Sequence, residues 1–159
     1  MTEKFLKVLL YLFQNYLLAE LMHVDDLQSI IIELDQAGFE KKASLAAIDW
    51  IYGIKDVEKS LKYGKQLSSS EAQRVFCSAE MAKITTEARG FILQLEQRGL
   101  IDAMTRELII DRAMALETSP ILPVEIRAIA NMVLLRDHVD DPNLILFSEW
   151  LLNDQESIH

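Results

Sequence analysis

The chain has 159 residues, half of them apolar and 26% charged, with only five glycines and three prolines. That is the composition of one globular domain, and it excludes a disordered, collagen-like or disulfide-framed chain, because the lone Cys77 has no internal partner. Sixteen Lys and Arg against 25 Asp and Glu give a formal charge of −9, which opposes any partner held chiefly through phosphate contacts.

The apolar surplus is concentrated at the N-terminus, where residues 5–22 read FLKVLLYLFQNYLLAELM. Lys7, Gln14, Asn15 and Glu20 interrupt this segment, so it falls short of the ~20 apolar residues a bilayer span needs. It also lacks the small-x-small site of a signal peptide. It predicts a nearly buried first helix in a cytoplasmic protein, with a dimer or partner surface as the alternative use of an all-round apolar helix. Asp25 or Asp26 can cap a second helix that runs to Ala37, carries Leu27, Ile30, Ile31 and Leu34 at helical spacing, and stops at Gly38. A third helix runs from Glu40 to about Tyr52, and Gly53 ends or bends it before a weaker stripe continues to Gly64.

The Ser68-Ser69-Ser70 cluster marks a linker. The single domain is accordingly expected to divide into an N-terminal half at 1–63, a linker at 64–74 and a C-terminal half at 75–159. Ser78 is a candidate cap for a short helix with Glu80 in its first turn. Thr85 or Thr86 opens the next helix, which ends at Gly99, and a further one follows near Thr105. Pro123 lies in the first turn of VEIRAIANMVLL, where proline is tolerated, and Pro142 opens NLILFSEWLL. Arg74 to Cys77 is the only strand candidate. The expected fold is all-α, a compact bundle of six to eight short helices in two helical-hairpin halves.

One pattern recurs at an offset of 61 residues: Ile31, Leu34, Gln36 and Gly38 reappear as Ile92, Leu95, Gln97 and Gly99. Phe39 and Leu100 follow the two glycines as apolar plugs, and a second helix follows each plug. Two readings fit, namely two helix ends that obey the same capping rules or a duplicated helix–turn–helix module.

The segments VLLYLFQNYL at 8–17, LDQAGFE at 34–40, ARGFILQLEQRG at 88–99, RELIIDRAMAL at 106–116 and NMVLL at 131–135 resemble the Smg family of small bacterial proteins. The resemblance covers nearly the whole chain to about residue 140. It implies no established activity and supplies no catalytic residue. Through the gene neighbourhood of that family, it implies a setting in DNA processing or topology, or in translation.

Chemistry-bearing motifs are sparse. His23, His138 and His159 are scattered, and Asp137, His138, Asp140 and Asp141 match no metal loop. Cys77 has no histidine, second cysteine or cation cluster to activate it. No phosphate-cradling glycine loop, nucleophile elbow or zinc-protease signature occurs, so neither a catalytic residue, a metal nor a cofactor is expected. The charged residues Arg89, Glu96, Arg106, Glu107 and Arg112 form the candidate interaction set. They admit two roles: ion pairs that fix helix register, or recognition of a protein partner. Glu107 and Asp111 form an acidic i, i+4 pair beside Arg112.

Charge is polarised. Residues 40–74 carry seven Lys and Arg against five acids, whereas 137–159 carry six acids and no Lys or Arg. Lys41, Lys42, Lys55, Lys59 and Lys62 form a candidate basic patch within 41–65, which serves either as a solvated face or as the surface of a nucleic-acid accessory protein. With few interleaved aromatics, a base-stacking platform is poorly supported. The reading favoured by the residues is a non-enzymatic protein-interaction module, with Phe13, Tyr16 and Trp150 offered as an apolar patch and a homodimer as one form of assembly.

Overall fold

A computed structural model describes residues 2–15, 27–64 and 74–135, and these segments form seven helices. In chain order they are α1 (Thr2–Asn15), α2 (Leu27–Gln36), α3 (Lys41–Gly64), α4 (Ser78–Lys83), α5 (Thr86–Gln97), α6 (Ala103–Met114) and α7 (Pro123–Leu135). The all-α expectation holds. Among the described residues no strand is present, the nearest approach being one isolated parallel bridge between Ile84 and Ile121. The strand candidate at Arg74–Cys77 has no strand pairing. The predicted caps at Asp25 and Asp26, the serine linker at 68–70 and the helix after Pro142 lie outside the described residues.

Helix α3 is the hub, packing against α1, α2 and α6, while α7 packs against α5 and α6. One core runs through these contacts, from Val8, Leu9 and Leu12 of α1 through Ile51 and Ile54 of α3 to Ile109, Ile126 and Ala130. Phe5 meets Trp50 edge-on at 6.3 Å between centroids, and Tyr11 meets Phe39 at 5.1 Å. Helix α1 buries a stripe rather than its whole circumference, since Lys4 and Lys7 are exposed and Leu10 is 42% exposed. Lys and Leu therefore share its outer face, and the all-round apolar reading of the N-terminus is too strong for residues 4–12.

Gly53 neither ends nor bends the third helix into two elements. It lies inside the 24-residue α3, although glycine costs about 1 kcal/mol relative to alanine there. A tertiary contact at Gly53, described below, accounts for its presence.

The recurring pattern has a physical basis in two matching helix ends. Gly38 and Gly99 both adopt positive φ, at 89° and 71°. The Phe39 amide donates to the Leu34 carbonyl and the Leu100 amide to the Leu95 carbonyl, both at 3.0 Å, while each glycine amide donates to the residue three before it. This is the Schellman arrangement, in which a left-handed residue turns the chain so that two orphan carbonyls are satisfied. The plugs differ, however. Phe39 is half-buried against Tyr11, but Leu100 is 39% exposed and Ile101, at 5%, takes the buried place.

Helix starts follow local chemistry. The Thr85 side chain accepts from the Ala88 amide at 3.2 Å and Asp102 from the Thr105 amide at 2.7 Å. The fourth helix is capped one residue earlier than expected: Cys77 is the extended cap residue, and its amide donates to the Glu80 carboxylate at 2.9 Å. Pro123 is the first helical residue of α7, as its missing N–H allows.

A glycine series separates these roles. Gly38→Ala and Gly99→Ala should each destabilise by about 1 kcal/mol, because positive φ strains any L side chain although neither added Cβ has an atom within 4 Å. Gly90→Ala, in open space on α5, should stabilise by about 0.5–1 kcal/mol. Urea unfolding midpoints of the three variants provide the measurement.

Candidate functional site

Five charged side chains, from the segment before α4 and from α4, α5 and α6, form a continuous ion network. Arg106 on α6 donates through Nη1 to both oxygens of Glu96 on α5, at 2.7 and 2.8 Å, and through Nε to Glu107 at 3.0 Å. Glu107 also accepts from Arg74 Nε at 2.7 Å, and Arg74 in turn reaches Glu80 on α4 at 2.7 Å. Charges alternate along the series Glu80–Arg74–Glu107–Arg106–Glu96. Arg106 reaches Glu96 on α5 and Glu107 on its own helix through different nitrogens of one planar group, so the contact fixes orientation as well as position and holds α5 and α6 in register. Burial pushes the Glu80 carboxyl up, but hydrogen bonds from Arg74 and the Cys77 amide outweigh it and leave the group below the usual carboxylate range. The Glu80 hydrogen bond likewise raises the Arg74 guanidinium against the effect of burial.

The candidate interaction set is thus divided. Glu96, Arg106 and Glu107 meet in the network, whereas Arg89 donates to Thr86 on its own helix at 3.1 Å and lies over the Phe76 ring. Arg74 lies over the same ring at 5.2 Å, which is the link between Arg89 and the network. Arg74 and Glu80 were not in the candidate set. Their signal in the sequence was faint, because Arg74 sits outside any helix and Glu80 read only as a first-turn acid.

Arg112 belongs to a different place, the junction of α3 and α6. Its Nη1 donates to the Trp50 carbonyl at 2.9 Å, its Nη2 to Asp111 at 2.7 Å, and the Trp50 indole returns a bond to the Arg112 carbonyl at 3.0 Å. The guanidinium also lies over the Trp50 ring at 5.7 Å. A Cβ on Gly53 would stand 2.2 Å from Arg112 Nη1, so the bare helix surface at Gly53 is what admits the guanidinium.

Beside this junction a cleft of about 430 Å³ opens between α3 and α6. Gly53, Ala43, Ala46 and Ala115 leave the space, and Phe5, Trp50 and Tyr52 supply aromatic surface. Asp49, Asp56 and Glu117 also line it, and among the described residues Arg112 is the one basic lining residue. The three carboxylates are exposed and enter no ion pair or side-chain hydrogen bond among the described residues.

The basic patch does not form one stripe. Lys41 and Lys42 sit at the start of α3 and Lys55, Lys59 and Lys62 near its end, roughly 20 Å further along at 1.5 Å per residue. Lys55 is half-buried and the other four are exposed, and Lys62 lies 3.8 Å from Glu58. Phe13 has no described side chain, and Tyr16, Trp150, Asp137, His138, Asp140 and Asp141 lie outside the described residues. Among the described residues no cluster of His, Cys, Asp or Glu is placed to hold a metal ion, and no helix is long and apolar enough to cross a membrane.

Residues 5–159 match a family described as a protein of unknown function, DUF494. A protein Smg homolog of Nitrosococcus oceani is 44% identical over 117 residues, which cover 74% of this chain and 73% of that one. The chain belongs to the Smg family. Further Smg homologs, from Alkalilimnicola ehrlichii and Idiomarina loihiensis, are 37% identical over 134 residues and 33% identical over 128. These alignments cover 84% and 80% of this chain and 83% and 82% of theirs. No solved structure matches this Smg-family fold.

Two variants test the two arginine sites. Gly53→Ala gains about 1 kcal/mol of helix propensity but displaces a charge-assisted bond worth about 1.5–3 kcal/mol, so a net loss of about 1 kcal/mol is expected. In an Arg112→Met background the same substitution should become stabilising, a reversal of sign that a double-mutant cycle in urea would detect. Glu80 has a folded-state pKa below its ordinary 4.5, so its contribution is fully present above that value and is lost as pH falls through the folded one. The stability gap between wild type and Glu80→Gln, followed by urea unfolding from pH 7 to pH 3, should therefore close on the acid side.

Proposed function

We propose that this Smg-family chain is a non-enzymatic interaction module of the bacterial cytoplasm that takes a protein partner in the α3–α6 cleft. The observation that carries this reading is the cleft itself. It combines aromatic walls, small residues that leave space, and carboxylates with no partner among the described residues. Open space of this kind lies within the range of about 300–1,000 Å³ that binding pockets occupy. The rival location, the Arg106 network, is supported less well as a recognition surface because its guanidinium forks are already taken by Glu96, Glu107 and Glu80. The setting offered by the family resemblance, DNA processing or topology, or translation, stands as the proposed biological context. The nucleic-acid alternative would rest on Lys41, Lys42, Lys55, Lys59 and Lys62, whose separation into two groups along α3 weakens it.

Site-specific photocrosslinking in living bacteria tests this reading. A benzophenone amino acid in place of Ala46 or Ala115 should give the same protein adduct from both positions, while one in place of Lys59 should not. Filling the cleft with Ala43→Trp should remove that adduct. Adducts that differ between the two cleft positions, or that survive filling, count against the reading.

A further inference from the structure

We infer that the occupant of the α3–α6 cleft is an arginine side chain presented by the partner protein, an assignment that rests on the reading of this cleft as a docking site. The argument is one of charge and shape together. Among the described residues, Asp49, Asp56 and Glu117 bring three negative charges to the lining, against the single positive charge of Arg112. Arg112 does not offer an anion site in compensation. Its Nε and Nη2 are committed to Asp111, its Nη1 to the Trp50 carbonyl, and its side chain is nearly nine-tenths buried. An incoming carboxylate or phosphate would have to displace Asp111 and would meet three like charges.

A cation meets the opposite conditions. Asp49 and Asp56 stand two helical turns apart on α3 and both are exposed, so a head group can pair with either carboxylate of the cleft lining, while the Gly53 surface between them is covered by the Arg112 guanidinium. The Trp50 ring already holds one guanidinium on its face, and Phe5 and Tyr52 extend the aromatic surface into the cleft. Arginine suits this combination better than lysine. Its planar fork pairs with carboxylates in two-point contacts and stacks on rings, while its methylene stem packs on the alanines and aromatic edges.

Titration of the full-length, isotope-labelled chain with the peptide acetyl-Gly-Arg-Gly-amide, followed by NMR, tests the assignment. The Trp50 indole N–H, distinguished from that of Trp150 by Trp150→Phe, and the Gly53 amide are the reporters. The expected result is a saturable shift with the arginine peptide. Binding of the citrulline counterpart, which has the same shape without the charge, should be about tenfold weaker or more. The double variant Asp49→Asn, Asp56→Asn should reduce the arginine peptide to the citrulline level, whereas Glu87→Gln on exposed α5 surface should leave it unchanged. Equal binding of the two peptides, or an equal loss in Glu87→Gln, overturns the arginine assignment and leaves the docking reading standing. A flat titration beside a reproducible Ala46 crosslink does the same, while a flat titration with no cleft-specific crosslink removes both.

Discussion

Two hydrogen bonds run in opposite directions across the α3–α6 junction, from the Trp50 indole to the Arg112 carbonyl and from the Arg112 guanidinium to the Trp50 carbonyl. Their importance lies in what the end of α6 requires. The last four carbonyls of a helix have no intrahelical donor. At the end of α6 the Ala115 amide bonds to Asp111 and the Leu116 amide reaches back only as far as Ala113. The Arg112 carbonyl is left to Trp50 of α3, and those of Met114 and Leu116 are left to Lys83 of α4. One helix terminus is therefore satisfied by two other helices, and displacement of either would leave carbonyl acceptors without these donors.

The same junction shapes the surface next to it. For Arg112 to reach the Trp50 carbonyl, the intervening turn of α3 must lack a side chain, and Gly53 meets that condition at a cost in helix propensity. The alanines at 43, 46 and 115 continue the depression around it. A structural requirement and an open cleft thus arise from one run of small residues. A larger residue at 53 acts on both, which is why stability and occupancy have to be measured separately in variants at that position.

Features set by short-range chemistry were legible in the sequence. The two glycine turns, a helix start at Thr85 or Thr86, the helical start at Pro123 and the all-α class follow from spacing and local backbone preference, and the structure contains each of them, with Thr85 as the cap. Ion pairing within the set that holds Glu96 and Arg106 was legible as one of two roles, because helices joined by one short turn must pack near each other, but which residues pair was not. The Trp50–Arg112 bonds join residues 62 positions apart, and no local pattern announces them. For the same reason Gly53 read as a helix breaker. Its role depends on a side chain from another helix, and propensity alone contains no term for that. Leu100 misled in a similar way, since the pattern that buries Phe39 places Ile101, not Leu100, inside at the second site.

The formal charge of −9 has a structural distribution behind it. Arg74, Arg89, Arg112 and Arg127 each lie over an aromatic ring, at 5.2–5.7 Å, and Arg106 is paired with Glu96 through Nη1. Positive charge in the C-terminal helices is thereby spent inside the fold. Pairing of this kind contributes little net stability once desolvation is counted, but it does specify which helices meet and in what register. The carboxylates are more numerous than these internal partners can neutralise. Where the surplus coincides with an open aromatic cleft, at Asp49, Asp56 and Glu117, the field favours a cation at a place where the described residues supply none beyond the already engaged Arg112.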